Sequence, residues 1–387
     1  VVALDQPAGD PDVSGLVDGE AGPLAAERTQ RPAQARRVVV KLGTSSLTSG
    51  DGMPDRQRLQ QITEQLLSLH RSGVEIVIVS SGAIAAGMSA LGLERRPSDM
   101  PTLQAAAAVG QRRLMDLWAD LLESEGPPVA QVLLTQHDIV QRSHYVNARN
   151  TLERLLELGA IPIVNENDTV AVEEIRYGDN DRIAALVANI VRADLLVLLS
   201  DVEGVFTSHP SSPGASLLTT VEEITPDLLR STARGRSALG SGGMASKLEA
   251  ARIASLSGVA VVIAFGDRPG ALVDVWQGRD VGTYFPASRP RQAARKLWIA
   301  WAPAARGRIV VDEGARRAVS HGNKSLLAAG VRAVEGSFKA GDAVEVVGPE
   351  GELVAKGLVA FDSDLLAGII GTKGGREVIH RDQLVVL

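Results

Sequence analysis

The apolar residues of this chain fall into short runs, each closed by glycine or by polar residues. From Arg37, RVVVKLG is a β-branched run ending in Gly, and DRQRLQQITEQLLSLHRSG follows with helical spacing and its own closing Gly. VEIVIVSSG repeats the strand-then-glycine pattern, and VAQVLLT, AIPIVNEN, DLLVLLSD and VAVVIAFG predict further strands. Helical stretches such as GDNDRIAALVANIVRA and MASKLEAARIASLSG separate them. Apolar strands alternating with helices predict an α/β domain whose mainly parallel sheet is covered by helices on both faces. Residues 1–36 mix Pro, Gly, Asp and Ala without apolar periodicity and are expected to be a disordered extension. Near residue 280 the pattern changes: PASRPRQAARK reads as a linker, and RIVVDEG, DAVEVVGPEGELVAKGLVAF and EVIHRDQLVVL are shorter, Gly-punctuated strand candidates. The expected division is an α/β domain at 37–285, a linker at 286–304 and a small, mostly β domain at 305–387.

Length agrees with two domains, since 387 residues exceed one average unit. The chain is 45% hydrophobic and 22% charged but only 3% aromatic, the profile of a soluble α/β protein. A net charge of -6 gives no global attraction to nucleic acid or acidic membranes. With no cysteine, disulfides, thiolate nucleophiles and Cys-ligated zinc are excluded, which fits a cytoplasmic location. No apolar run reaches the roughly 18 residues of a membrane span, and no basic-then-apolar leader opens the sequence.

Ligands of parallel α/β sheets bind beyond the carboxyl ends of the strands, so the residues after each run are the candidates. Lys41, two residues before Gly43, suits either a phosphate or a snorkelling strand-end role. SSGAIAAG offers hydroxyls and free N–H groups at a helix start, for an anion or simply for a cap. The polar stretch NENDTVAVEEIRYGDND places Asn165, Glu166, Asn167, Asp168, Asp179, Asn180 and Asp181 around one loop. That density suits an amino acid's ammonium group, or the organisation of lysines and Mg²⁺; a helix cap before Arg182 needs only one of them. SGGMASKLEA joins glycines, hydroxyls and a lysine at a helix start, as a nucleotide-phosphate site or a capped turn, and is not a P-loop.

Taken in order, VVVKLGTSSL, VSSGAIAAG, VNARNTL, VNENDTVA, YGDND, LLSDVEGVF and GSGGMASK closely resemble the successive motifs of the glutamate 5-kinase family within the amino acid kinases. SLLAAGVRAVEGSFKAGDAVEV resembles the PUA domain appended to many of them, so the resemblance spans roughly residues 37–387. It implies that Lys41 and Lys247 contact the phosphates of ATP, with Ser241, Gly242, Gly243, Met244, Ala245 and Ser246 completing the nucleotide loop and Ser200 and Asp201 a second nucleotide segment. Ser81, Asp168 and Asn180 match the glutamate site; Asp179 and Asp181 match active-site aspartates, the latter suited to orienting both lysines. Ser200 and Ser241 stand where threonine is common, and Ala245-Ser246 replaces a Ser-Thr pair.

The implied reaction moves the γ-phosphate of ATP, carried with Mg²⁺, to the γ-carboxylate of L-glutamate, the first step of proline biosynthesis, under feedback by proline. A homo-oligomer and the next enzyme of that pathway are the implied partners. The rival readings are another acceptor within the same kinase family, and RNA binding through the tail. Residues 305–387 hold 11 Lys+Arg and 11 Asp+Glu, with Phe338 and Phe361 their only aromatics. That leaves neither a basic footprint nor a stacking platform for RNA. The N-terminal extension lies outside the family pattern.

Overall fold

The computed structural model describes residues 23–47, 55–124, 126–135, 138, 139, 141–170, 179–208, 210–212, 214–225, 228, 229, 243–288, 299, 305–322, 324–372 and 376–386. The chain divides into two compact units, residues 1–135 with 146–288 and residues 136–145 with 289–387.

In the first unit the apolar runs become β1 (Arg37–Leu42), β2 (Glu75–Ser80), β3 (Val129–Leu134), β4 (Ile161–Glu166), β5 (Leu195–Ser200) and β6 (Ala260–Phe265). With β7 (Thr283–Phe285) they form a seven-stranded sheet in the order β3-β4-β2-β1-β5-β6-β7. Every pairing is parallel except that of β7, which lies antiparallel to β6. Its helices among the described residues include α1 (Pro23–Ala33), α2 (Thr44–Leu47), α3 (Arg56–Arg71), α4 (Ala83–Ala90), α5 (Met100–Leu122), α6 (Arg142–Glu157), which joins this unit from residue 146 on, α7 (Asp179–Ile190), α8 (Met244–Leu256) and α9 (Ala271–Trp276).

Strand side chains alternate between the faces, and in β1, β2, β4, β5 and β6 both faces are buried, which explains why those runs are nearly continuously apolar, whereas the edge strand β3 carries the exposed Gln131. Val38, Val40 and Leu42 of β1 pack in one core with Leu59 and Leu66 of α3 and Leu114 and Trp118 of α5. Val39, Val77, Val79, Leu196 and Leu198 face the other way and are equally buried. Lys41 shares the face of Val39 and meets Asp181 of α7 there. From β1 the chain passes to β2, then to the edge strand β3, then back to β4 between β3 and β2, and crosses to β5 on the opposite side of β1. That reversal brings the carboxyl ends of β1, β2, β4 and β5 side by side, the place where such sheets bind ligands.

One element departs from the expected disorder of residues 1–36: Pro23–Ala33 is the helix α1. Its attachment is polar, which is why apolar periodicity did not show it. Buried Arg28 donates to the carbonyl oxygens of Thr219 and, at 3.1 Å, Gly282, and pairs with Asp280 at 2.8 Å. Trp276 Nε1 donates to Ala35 O at 3.3 Å just beyond the helix.

The second unit contains β8 (Gly307–Val311), α10 (Glu313–Gly322), β9 (Leu326–Leu327), β10 (Val331–Gly336), β11 (Ala343–Val347), β12 (Leu353–Leu358), α11 (Ser363–Gly368), β13 (Glu377–Ile379) and β14 (Leu384–Val386). Five strands form a sheet in the order β10-β8-β11-β12-β14, and β13 pairs with β9 in a second, two-stranded one. Ile309, Val311, Val331, Phe338, Val344, Val346 and Leu366 belong to its own core. The mostly β tail is therefore present; β9 and β10 lie outside the runs named from sequence. Among the described residues no helix is long and apolar enough to cross a membrane.

Candidate active site

Asp181, the third residue of α7, is 0% exposed, and Lys41 at the end of β1 places its Nζ 2.6 Å from Oδ1. From the first turn of α8, Lys247 Nζ approaches Oδ2 at 3.4 Å, and Ser246 Oγ donates to the same oxygen at 2.7 Å. Lys41 and Lys247 are themselves only 4% and 5% exposed. Two ammonium groups thus share one carboxylate away from solvent, with Asp201 adding a weaker attraction to Lys41, and such a pair favours the approach of a further anion.

The ionisation of these groups follows from that arrangement. Burial pushes the Asp181 carboxyl up, but the Lys41 and Lys247 charges, with hydrogen bonds from Lys41 and Ser246, outweigh it and hold the group down at about 2. Burial lowers the pKa of Lys41; Asp181 opposes this and the neighbouring Lys247 adds to it. An arriving phosphate would strengthen the charged form of that amine.

Local structure presents the cluster to such an anion. Gly243 caps α8 and brings no side-chain acceptor to its first turn, where Ser246 N–H donates to Gly243 O at 3.0 Å; the positive end of the helix suits an anion there. Arg182 NH2 donates to Glu249 Oε1 at 2.9 Å and Oε2 at 2.7 Å, bracing α7, which carries Asp181, against α8, which carries Lys247. Ser200 is buried at the end of β5 and donates to Asp201 Oδ1 at 3.2 Å. Met244 and Ala245 occupy the first turn of α8. Ser241 and Gly242 lie outside the described residues, and Asp179 is described only as the first residue of α7.

Next to Asp181 begins a neutral, hydrogen-bonding region. Asn180 Nδ2 donates to Ser81 Oγ and to Asn165 Oδ1, both at 2.9 Å. Asp168 sits in the turn after β4, half-buried. Of the three expected acceptor-site residues, Ser81 and Asn180 are thus in direct contact. Sequence reasoning did not find Gln111 of α5, whose Oε1 accepts from Asn165 Nδ2 at 2.8 Å. Its signal was a polar residue at a buried position of the α5 repeat Leu103, Ala107, Gly110, Gln111, Leu114, Trp118. Among the described residues no group of three or more His, Asp or Glu is placed to hold a metal ion.

The amino acid kinase family model matches residues 36–264, and the PUA domain model matches residues 307–380. The chain is 48% identical over 365 residues to a glutamate 5-kinase of Myxococcus xanthus, covering 91% of this chain and 97% of that one. It is 48% identical to the Streptomyces coelicolor glutamate 5-kinase over 371 residues, 92% of this chain and 98% of the relative. The Streptomyces avermitilis glutamate 5-kinase is 49% identical over 373 residues, again 92% and 98% of the two chains. The chain belongs to the amino acid kinase family, has glutamate 5-kinases as its relatives, and carries a C-terminal PUA domain.

Proposed function

We propose that the chain transfers the γ-phosphate of ATP to the γ-carboxylate of L-glutamate, giving γ-glutamyl phosphate and ADP. The observation that carries this is the buried Lys41–Asp181–Lys247 cluster, two ammonium groups on one carboxylate, adjacent to the Ser81–Asn180 pair. An acceptor carboxylate oxygen forms a bond to the γ-phosphorus while the bond to the β,γ-bridging oxygen breaks, and ADP leaves with that electron pair. No general base is required, because a glutamate side chain is ionised at neutral pH. What remains is alignment and offset of negative charge. Lys41 and Lys247 supply that offset to the transferring group and the leaving oxygen, and Asp181 keeps both ammonium groups in place. Mg²⁺ arrives with ATP as part of the substrate. Asn180, Ser81 and Asp168 receive glutamate, while Ser200, Asp201 and the loop from Ser241 to Ser246 receive the nucleotide.

The same reading places the catalytic domain at 37–285, a linker at 286–304 and the PUA-like domain at 305–387. It also brings feedback inhibition by proline, a homo-oligomer, hand-over of the acyl phosphate to the next enzyme of proline biosynthesis, and a cytoplasmic location. These rest on the family. The test is ADP release from Mg·ATP with glutamate, aspartate, acetylglutamate, carbamate and UMP as acceptors, repeated across a proline titration. Turnover with glutamate above the others is expected. Preference for another acceptor would overturn the substrate assignment, and insensitivity to proline would remove the feedback.

A further inference from the structure

Helix α5 enters the acceptor region through an unusually close crossing with α4. A Cβ on Gly110 would lie 1.7 Å from Ala83 O, and one on Gly87 would lie 1.8 Å from Ala106 O. Only glycine at both positions lets the two backbones approach so closely. Ala83 follows Ser81 and Gly82 directly, so the crossing pins α5 against the turn that presents Ser81. Gln111, the residue after Gly110, is 9% exposed, and Asn165, which it meets, is 1% exposed. Two turns further along α5, Trp118 Nε1 donates to Ser80 Oγ at 3.0 Å.

The polarity of this amide chain follows from one backbone group. Glu166 N–H can only donate, and it points at Asn165 Oδ1 at 2.9 Å and Asn180 Oδ1 at 3.3 Å. Both amides must therefore turn their oxygens toward it, and both Nδ2 groups away. Asn180 Nδ2 then donates to Ser81 Oγ, which leaves the serine its own hydrogen to give to a ligand. Asn165 Nδ2 needs an acceptor, and Gln111 Oε1 supplies it. Gln111 Nε2 is consequently a donor, and it is buried with no hydrogen-bond partner among the described residues. A buried donor without an acceptor is costly, so its presence marks a place completed by a ligand or water oxygen.

We propose that Gln111 is a positioning residue of the acceptor site: through Asn165 it locks Asn180 and Ser81 in the orientation that donates to a carboxylate-bearing substrate. The inference rests on the proposed acceptor, glutamate, and deepens that reading. A lost acceptor at Gln111 leaves Asn165 Nδ2 buried and unpaired; Glu166 N–H still sets the sense of both amides, but Asn165 is held less firmly in the place where it accepts from Asn180, and Asn180 and Ser81 are positioned less firmly with it. The phosphate cluster does not touch Gln111, so ATP binding is left out of the effect.

The test uses full-length protein and steady-state kinetics with glutamate and Mg·ATP varied separately, for wild type, Gln111→Met and Gln111→Glu. Gln111→Met keeps the shape and removes the acceptor; the KM for glutamate should rise about tenfold, with the KM for ATP within about twofold. Gln111→Glu accepts from Asn165 in either protonation state but mimics the amide donor only when protonated. Its buried carboxyl has a raised pKa, so its KM for glutamate should fall toward wild type as pH drops from 8 to about 6, while the wild-type value stays flat. A residue that merely fills the core would lower the thermal midpoint without this pH profile. Equal changes in both KM values, or an unchanged KM for glutamate in Gln111→Met together with a flat profile in Gln111→Glu, would overturn the proposal. Should Gln111→Met not fold, the Gln111→Glu profile alone decides. Wild-type turnover separates the two claims: if another acceptor proves to be the substrate, the glutamate reading fails, and the same variants are scored on the KM for that acceptor.

Discussion

Asp181→Asn removes the negative charge that Lys41 and Lys247 both contact while keeping shape and hydrogen-bonding capacity. Removing one partner of a buried ionic cluster costs about 3–5 kcal/mol, because the remaining charges keep their desolvation penalty. One escape limits that cost: Lys41, whose pKa burial and Lys247 already lower, gives up its proton. Taking a lysine from its ordinary value to neutral at pH 7 costs about 5 kcal/mol, so the escape sets a ceiling close to the direct estimate. For a unit of this size the thermal midpoint should fall by roughly 10 °C. Turnover should fall about a hundredfold or more, since a neutral Lys41 no longer offsets phosphoryl charge. The pH dependence has a definite sign. In wild type the Asp181 carboxyl is held at about 2 against an ordinary 3.8, so its contribution, about 2 kcal/mol, is complete above 3.8 and lost as pH falls through about 2. The variant lacks that acid loss. Its Lys41 instead binds fewer protons folded than unfolded over a wider alkaline window, so its stability should rise with pH up to about 10 more steeply than wild type. The assay is differential scanning fluorimetry across pH, with and without Mg·ATP, beside kcat from coupled ADP release; the nucleotide should raise the variant's midpoint more than the wild type's. A wild-type midpoint and turnover in Asp181→Asn would refute the claim that the aspartate holds two charged lysines.

Three further outcomes are expected. Ser246→Ala deletes the 2.7 Å bond to Asp181 and should lower kcat about tenfold with little change in the KM for glutamate, while Ser246→Thr should restore it; no difference between the two variants would make that hydroxyl incidental. Gly110→Ala forces a Cβ to within 1.7 Å of a backbone oxygen, so denaturation should show a loss of about 3 kcal/mol or more, and a neutral result would mean the helices separate freely. Arg28→Ala should cost about 1–2 kcal/mol through its lost carbonyl bonds, the Asp280 pair adding little at its exposed partner; an unchanged midpoint would show that α1 adds nothing to the fold.

The parallel sheet was legible because β1, β2, β4, β5 and β6 are buried on both faces and so appear as unbroken apolar runs. β7 was not, since three residues give no period to read. β10 alternates buried and exposed residues too weakly to separate from a loop, and α1 is anchored by arginine hydrogen bonds that leave no hydrophobic trace. At the site, Lys41 and Lys247 stood out through motif order, and Asp181 meets them across 140 and 66 residues of chain. Gln111 could not be assigned from sequence, because its meaning depends on Asn165, 54 residues away, and on the glycine crossing that brings the two together.

The central claim is that Lys41 and Lys247 act on the phosphoryl group in transit, and the most direct test is the kinetics of Lys41→Met and Lys247→Met at saturating Mg·ATP. Each should retain a KM for glutamate within about twofold of wild type while kcat falls at least about a hundredfold, the signature of an interaction needed mainly in the transition state. Near-normal kcat in either variant, with a folded protein, would contradict the account for that lysine.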